Sequence, residues 1–332
     1  MKSFDTPPPT PTAPFFISSS VVTRAITIPD AVTRLENVLL NRFDPEQDGV
    51  RSRLATQHGQ LLQMPSTLGQ YTGTKLLTIS PDNASAGLPV IQGLYALFGG
   101  QDQRALAVMD GGALTDVRTP AVSALGALRL ASPGPKSLLV FGTGPQAWQH
   151  IKAFNDVCEL TQVGIVGRNA ASATRLAARA SAMGLSAVVA SDYQVADADL
   201  VVCCTGASTP LFDGSMVKED AVVVAIGSHE PDKRELDDAL LSRSSIYVES
   251  LGSCQREAGD IILAMASGAV AGPERLNTLA ELVQGLKPRQ PGRPAVFKTT
   301  GMPWQDLAVA AAVYETYLRE SSDPLPGWSE PS

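Results

Sequence analysis

No stretch of this 332-residue chain has the length and purity of a membrane span, and its N-terminus lacks a basic region followed by an apolar core. The expected compartment is therefore the cytoplasm, with no membrane partner. Basic excess is missing too, with 26 Lys and Arg against 33 Asp and Glu and a net charge of -7. Without a basic run to offset that balance, a nucleic-acid partner is excluded. The four cysteines, Cys158, Cys203, Cys204 and Cys254, show neither C-x-x-C pairing nor a metal-ligand rhythm, and read as buried free thiols. His58 and His150 have no second ligand at helical spacing, so no metal site is expected and both read as surface or helix residues. Repeats of solenoid type are absent as well.

What is present is an apolar strand, Ser137 to Phe141, that empties into the turn Gly142-Thr143-Gly144-Pro145-Gln146-Ala147. This is G-x-G-x-x-A: Gly142 allows the tight turn, Gly144 lets backbone N–H groups approach a pyrophosphate, and Ala147 lets the following helix pack closely. The phosphates then sit at the positive end of that helix. About 20 residues on, a second strand, Gln162 to Val166, ends in Gly167-Arg168-Asn169, with no acid to hold a ribose 2′-hydroxyl. Arg168 stands there instead, where a guanidinium pairs with the 2′-phosphate of NADP, and Asn169 adds a neutral hydrogen-bonding group. The expectation is NADP in preference to NAD; the alternative is that Arg168 is a solvated loop residue.

Length points to two domains. Residues 1–14, with Pro7-Pro8-Pro9, and the Pro-rich stretch 321–332 read as a disordered arm and a flexible tail. A helix over Ala31–Arg42 and strands over 60–64, 74–79, 90–98 and 105–110 give a sheet-rich α+β domain. A helix over Ala121–Ala131 and Pro133-Gly134-Pro135 mark a crossover, after which strand and helix alternate through 146–158, 163–166, 170–183, 186–190, 193–198 and 200–205. Strands at 221–226 and 245–248 complete a doubly wound parallel sheet. A last amphipathic helix, Trp304–Tyr317, is expected to return to the first domain. The resulting α/β architecture has a Rossmann domain over 121–303 inserted into a unit made of 15–120 plus 304–320.

Several separate motifs then fall in order: Gly73 to Thr78, Ala107 to Gly111, Val117 to Ala124, the Gly142 loop, Ile226 to Leu236, Glu257 to Asp260 and Val296 to Met302. Through these the chain resembles the ornithine cyclodeaminase/mu-crystallin family over roughly residues 40–318, and within it the ketimine reductases and pyrroline-2-carboxylate reductases most. The resemblance implies a substrate and dimerisation domain with an inserted Rossmann domain, and a homodimer. It also implies reduction of a small cyclic α-imino acid to proline or pipecolate. Other activities in such a scaffold are ornithine cyclisation with loss of ammonia, alanine-type dehydrogenation, and NADPH-dependent binding without catalysis.

By the same resemblance, Lys75 and Arg118 hold the substrate carboxylate, joined by Arg51 and with Met64 beside them. Thr205, Gly227, Ser228, Lys298, Thr299 and Gly301 meet the dinucleotide. Cyclodeaminases carry a catalytic Asp where this chain has His229, and ketimine reductases a small polar residue. A carboxylate suits activation of the substrate's amino group for ring closure, whereas a preformed imine needs it less. His229 is then a general acid or a polar rim residue, with Glu230 and Asp232 as stand-ins for the missing acid. Asp306 reads either as a helix N-terminal charge or as a site residue.

Overall fold

The computed structural model describes residues 13–322 and gathers its strands into two sheets. Residues 1–12 and 323–332, most of the expected arm and tail, lie outside the described residues. The last helix continues through Ser322, so residues 321 and 322, expected in the tail, are helical.

The first sheet contains β1 (Phe15–Ile17), β2 (Ser52–Thr56), β3 (Gly59–Leu68), β4 (Tyr71–Ile79), β5 (Ile91–Gly99) and β6 (Arg104–Asp110), ordered β1-β6-β5-β4-β3-β2. From β2 to β6 it is an antiparallel meander, with β1 parallel to β6. Alternation along β4 buries Gly73, Lys75 and Leu77 on one face. Across the ladder Met64 lies opposite Lys75, and Leu62 opposite Leu77.

Helices α1 (Ser19–Ala25) and α2 (Ile28–Leu40) precede β2. α2 starts before the expected Ala31 because the Thr27 side chain accepts from the Asp30 amide and Pro29 fits the first turn. It stops before Arg42, which has a φ of 61°. The next helix departs further from expectation. α3 runs over Gly111–Leu130, started by Asp110, whose side chain accepts from the Ala113 amide, and it passes through Pro120. An interior proline costs roughly 3 kcal/mol, here outweighed by burial of most of the helix against α2 and the elements around it. The expected boundary at 120/121 thus falls inside a continuous helix.

The second sheet contains β7 (Lys136–Phe141), β8 (Leu160–Val166), β9 (Ala187–Val189), β10 (Leu200–Cys203), β11 (Val222–Ala225), β12 (Ser245–Val248), β13 (Leu276–Thr278) and β14 (Ala295–Lys298). Its order is β13-β12-β14-β11-β10-β7-β8-β9, with parallel pairing throughout. Helices α4 (Pro145–Val157), α5 (Ala170–Ser181), α6 (Asp238–Arg243), α7 (Leu251–Glu257), α8 (Gly259–Ser267) and α9 (Leu279–Val283) connect these strands. Residues 193–198 form only a 3-10 turn over Asp192–Ala196. β14, read in the sequence as a loop motif, inserts between β11 and β12; four residues buried on both faces carry no alternation to reveal a strand.

The strand order reverses between β7 and β10, which opens a crevice at the carboxyl ends of those strands. Helix α10 (Pro303–Ser322) returns to pack on β3 and β4, beside α3. The site lies where these two features meet.

Candidate active site

Gly142 follows β7 with a φ of +120°, and a Cβ there would sit 2.6 Å from the Cys204 carbonyl oxygen. Only glycine fits without displacing backbone. Gly144 is the N-cap of α4 with no side-chain cap, Pro145 occupies the first turn, and a Cβ on Gly144 would meet nothing within 4 Å. Ala147 is fully buried behind them. A cavity of about 690 Å³ opens here, lined by Gly142, Thr143, Gly167, Arg168, Asn169 and Thr205. Uncapped amide donors at a helix start, with open space above the glycine, fit a dinucleotide pyrophosphate. The Asn169 side chain is already engaged, accepting from the Ser172 amide to cap α5.

A second cavity, of about 260 Å³, adjoins the first, and the two share Cys204 and Thr205 just beyond β10. Its walls bring together Arg51, Met64, Lys75, Arg118, Gln146 and His229, with Gly227, Thr299 and Gly301 closing one side. Sequence-remote segments from both sheets thus face one space.

Lys75 is 1% exposed and its Nζ lies 2.8 Å from both carboxylate oxygens of Asp306. Arg118, on α3, places Nε 3.2 Å from Asp306 Oδ1 and donates through Nη1 to Gln305 Oε1 at 3.3 Å. Burial, then the nearby Arg118 charge, pull the Lys75 ammonium down to about 7 against the opposing pull of Asp306. Asp306 is therefore a site residue as well as a first-turn acid of α10. Arg51 donates to Glu257 at 2.7 Å and to the Thr300 and Gly301 carbonyls, strapping β2's approach to the loop before α10.

Behind the walls sits a set of buried acids. Glu249 accepts from Thr299 Oγ1, the Thr300 and Gly301 amides and Gln305 Nε2, at 2.6–2.9 Å. Glu235 accepts from the Thr205 amide and hydroxyl and from the Gly227 amide. Lys298 departs from expectation: its side chain is fully buried, 3.1 Å from Asp260 and donating to the Ala225 carbonyl, so it braces the sheet and does not face either cavity. Ser228 is likewise turned inward, donating to the Lys233 carbonyl.

His229 lines the smaller cavity, and burial together with the Arg51 and Arg53 charges holds its imidazole down to about 4. A neutral ring at neutral pH is not the acid that one reading of the sequence assigned. Its Nδ1 lies 3.3 Å from the Gly227 carbonyl, which only accepts, so the ring proton is assigned to Nδ1 and Nε2 is an acceptor. Glu230 pairs with Lys233 outside the cavity, and neither it nor Asp232 lines the space. His150 is a buried helix residue, placed between the Gln146 carbonyl and Ser123 Oγ. Among the described residues no group of His, Cys, Asp and Glu is arranged to hold a metal, and no helix is long and apolar enough to cross a membrane.

The family model for ornithine cyclodeaminase/mu-crystallin proteins matches residues 18–321. The chain belongs to that family. The pyrroline-2-carboxylate reductase of Colwellia psychrerythraea is 32% identical over 309 residues, 90% of this chain and 98% of that protein. The ketimine reductase mu-crystallin of Rattus norvegicus is 32% identical over 315 residues, 92% of this chain and 98% of its own length. Among solved structures, the Thermococcus litoralis pyrroline-2-carboxylate reductase in complex with NADH and L-proline superposes with a TM-score of 0.86 at 25% identity, covering 92% of this chain and 98% of that one. An archaeal alanine dehydrogenase dimer with bound NAD gives 0.85 at 27% identity, with coverages of 93% and 97%.

Within this ornithine cyclodeaminase/mu-crystallin member, sequence reasoning passed over Gln305 and Glu249 as site supports. A faint signal existed for Glu249: it follows directly on the wholly buried strand Ser245–Val248, where an acid needs a set of donors. Gln305, beside the acid already singled out, carried none.

Proposed function

We propose that the protein reduces small cyclic α-imino acids, of the pyrroline-2-carboxylate or piperideine-2-carboxylate kind, to proline or pipecolate at the expense of a reduced nicotinamide dinucleotide. The observation that carries this reading is the Lys75–Asp306–Arg118 cluster at the wall of a cavity that runs into the glycine-loop groove at Cys204 and Thr205. Two cations around one carboxylate leave a single unbalanced positive charge, which matches one substrate carboxylate. Relatives named for this reaction, and one structure containing NADH and L-proline, support the same reading.

In this mechanism Arg118 orients the carboxylate through in-plane guanidinium N–H donors, and Lys75 holds it from the strand side. With its ammonium near 7, Lys75 also supplies the proton that keeps the imine nitrogen cationic. A reduced dinucleotide held at the Gly142–Ala147 turn would supply the hydride for the imine carbon, with the C=N π pair going to the protonated nitrogen. His229, neutral, accepts a hydrogen bond from the nitrogen's N–H through Nε2. Glu235 and Glu249 fix the loops bearing Thr205, Gly227, Thr299 and Gly301 around the reacting space. Holding the partners in register is worth several kcal/mol, about 7 or more in favourable cases.

Arg168 at the end of β8, with no acid beside it in the Gly167-Arg168-Asn169 turn, favours NADP over NAD. The sheet β1–β6 with α10 serves as the substrate and dimerisation unit and the sheet β7–β14 with its helices as the dinucleotide unit, with α3 packed against both, and the working form is a homodimer. The test is consumption of NADPH and NADH by purified protein with each cyclic imine. Cofactor binding, read by dihydronicotinamide fluorescence, without consumption of either would overturn the proposal.

A further inference from the structure

We infer that the smaller cavity is a selective site for monocarboxylic imino acids bearing an apolar side group, and that a strip of residues on β3, β4 and β5 decides this. The inference rests on the reductase reading above and specifies its substrate class.

Counting outward from Lys75 along β4, Leu77 and Ile79 share its face, about 7 and 14 Å further on. The ladder sets Leu62 opposite Leu77 and Ile91 opposite Ile79, and Met64 flanks Lys75 itself. All five of these apolar side chains line the cavity, and Ile226 faces them from beyond β11. Leu62, Met64 and Leu77 form a small apolar cluster of their own, separate from the main cores, with Ile79 packed against it. The strip is closed at the charged end, where Met64 is 2% exposed, and open at the far end, where Ile91 is 49% exposed.

Charge sharpens the selection. Among the described residues no Asp or Glu lines the cavity. A distal ammonium, as in a diamino acid, would find no counter-charge there and would be desolvated against leucine and isoleucine. A second carboxylate would find no free cation among the lining residues: Arg51 is taken by Glu257 and two carbonyls, and the Lys75–Arg118 pair has one net charge to offer. The volume of about 260 Å³ sits just under the usual small-molecule range, which suits a ligand of amino-acid size.

The test compares imines formed in situ from methylamine with pyruvate, 4-methyl-2-oxopentanoate or 2-oxoglutarate, alongside pyrroline-2-carboxylate. The expected result is a kcat/KM at least about tenfold higher for the 4-methyl-2-oxopentanoate imine than for the pyruvate imine, and the lowest value for 2-oxoglutarate. Ile91→Gln at the exposed mouth, and Leu77→Asn deeper in, should bring that ratio toward one; the first tolerates the change by its exposure if the second unfolds. Equal rates across the series, or preference for 2-oxoglutarate, overturn the subsite while leaving the reductase reading intact. If no imine is consumed, the reductase reading fails, and the subsite is judged alone by ligand-induced Tm shifts in the presence of NADPH. A larger shift with 4-methylpentanoate than with glutarate or acetate upholds it, and the reverse order overturns it.

Discussion

Lys75 of β4 and Asp306 of α10, 231 positions apart in the chain, meet at 2.8 Å with almost no solvent contact. A buried charge whose partner is removed typically costs roughly 3–5 kcal/mol. Asp306→Asn leaves two neighbouring cations, Lys75 and Arg118, facing each other across an amide. We expect a loss of stability of that order in urea unfolding, and a fall of about 100-fold in kcat/KM for the imine with little change in dinucleotide affinity. Unaltered stability in the Asp306→Asn protein would remove the pair from its central place.

Lys75 also sets a pH profile. Its ammonium is pulled down to about 7, and the protonated form is the one that holds the carboxylate and donates the proton. Activity as kcat/KM should therefore be full below pH 7 and decline as pH rises through it, with no inflection belonging to His229 near 6.5. Lys75→Arg should shift that limb upward beyond the measurable range while lowering the rate. A limb that stays near 7 in Lys75→Arg belongs to another group.

Arg118→Lys keeps the charge and discards the fork. Each charge-assisted hydrogen bond is worth roughly 1.5–3 kcal/mol, so steady-state kinetics should show kcat/KM reduced roughly 10- to 100-fold. Most of the loss should lie in KM if Arg118 grips ground state and transition state alike.

Arg168→Ala tests cofactor choice. Discarding a guanidinium–phosphate contact should weaken NADPH by about tenfold or more, near 1.4 kcal/mol, and leave NADH almost unchanged. Equal effects on the two cofactors would make Arg168 an ordinary loop residue.

Stability should fall on acidification for a different reason. His150 and His229 are both held to about 4, well under their unfolded value of 6.5. Between pH 6.5 and 4 the unfolded chain binds protons that the folded one refuses, so each ring withdraws stability as the pH drops, roughly 3 kcal/mol apiece. Urea titrations at pH 7 and pH 5 should show the decline, and His150→Asn should flatten part of it.

Much of this was legible beforehand because it depends on local pattern. The glycine turn and the alternation that buries Lys75 are set by neighbours in sequence. β14 and the long α3 were hidden for opposite reasons: four residues buried on both faces show no period, and Pro120 looks like a helix start when it is a tolerated interior residue. Asp306 could be read as a first-turn helix charge or as a site residue but not decided, since nothing local states that two distant cations will come to it. Lys298 was given to the dinucleotide by resemblance, as part of a loop, and nothing local states that the buried Asp260 lies 3.1 Å from its Nζ.

The return of α10 to β3 and β4 sets an order of events during synthesis. Lys75 and Arg118 leave the ribosome long before Asp306, so the first sheet and α3 carry two poorly neutralised cations until the final helix has emerged and docked. A stalled or prematurely terminated chain would expose that imbalance together with the bare inner face of the sheet, and protein-quality surveillance acts on such surfaces.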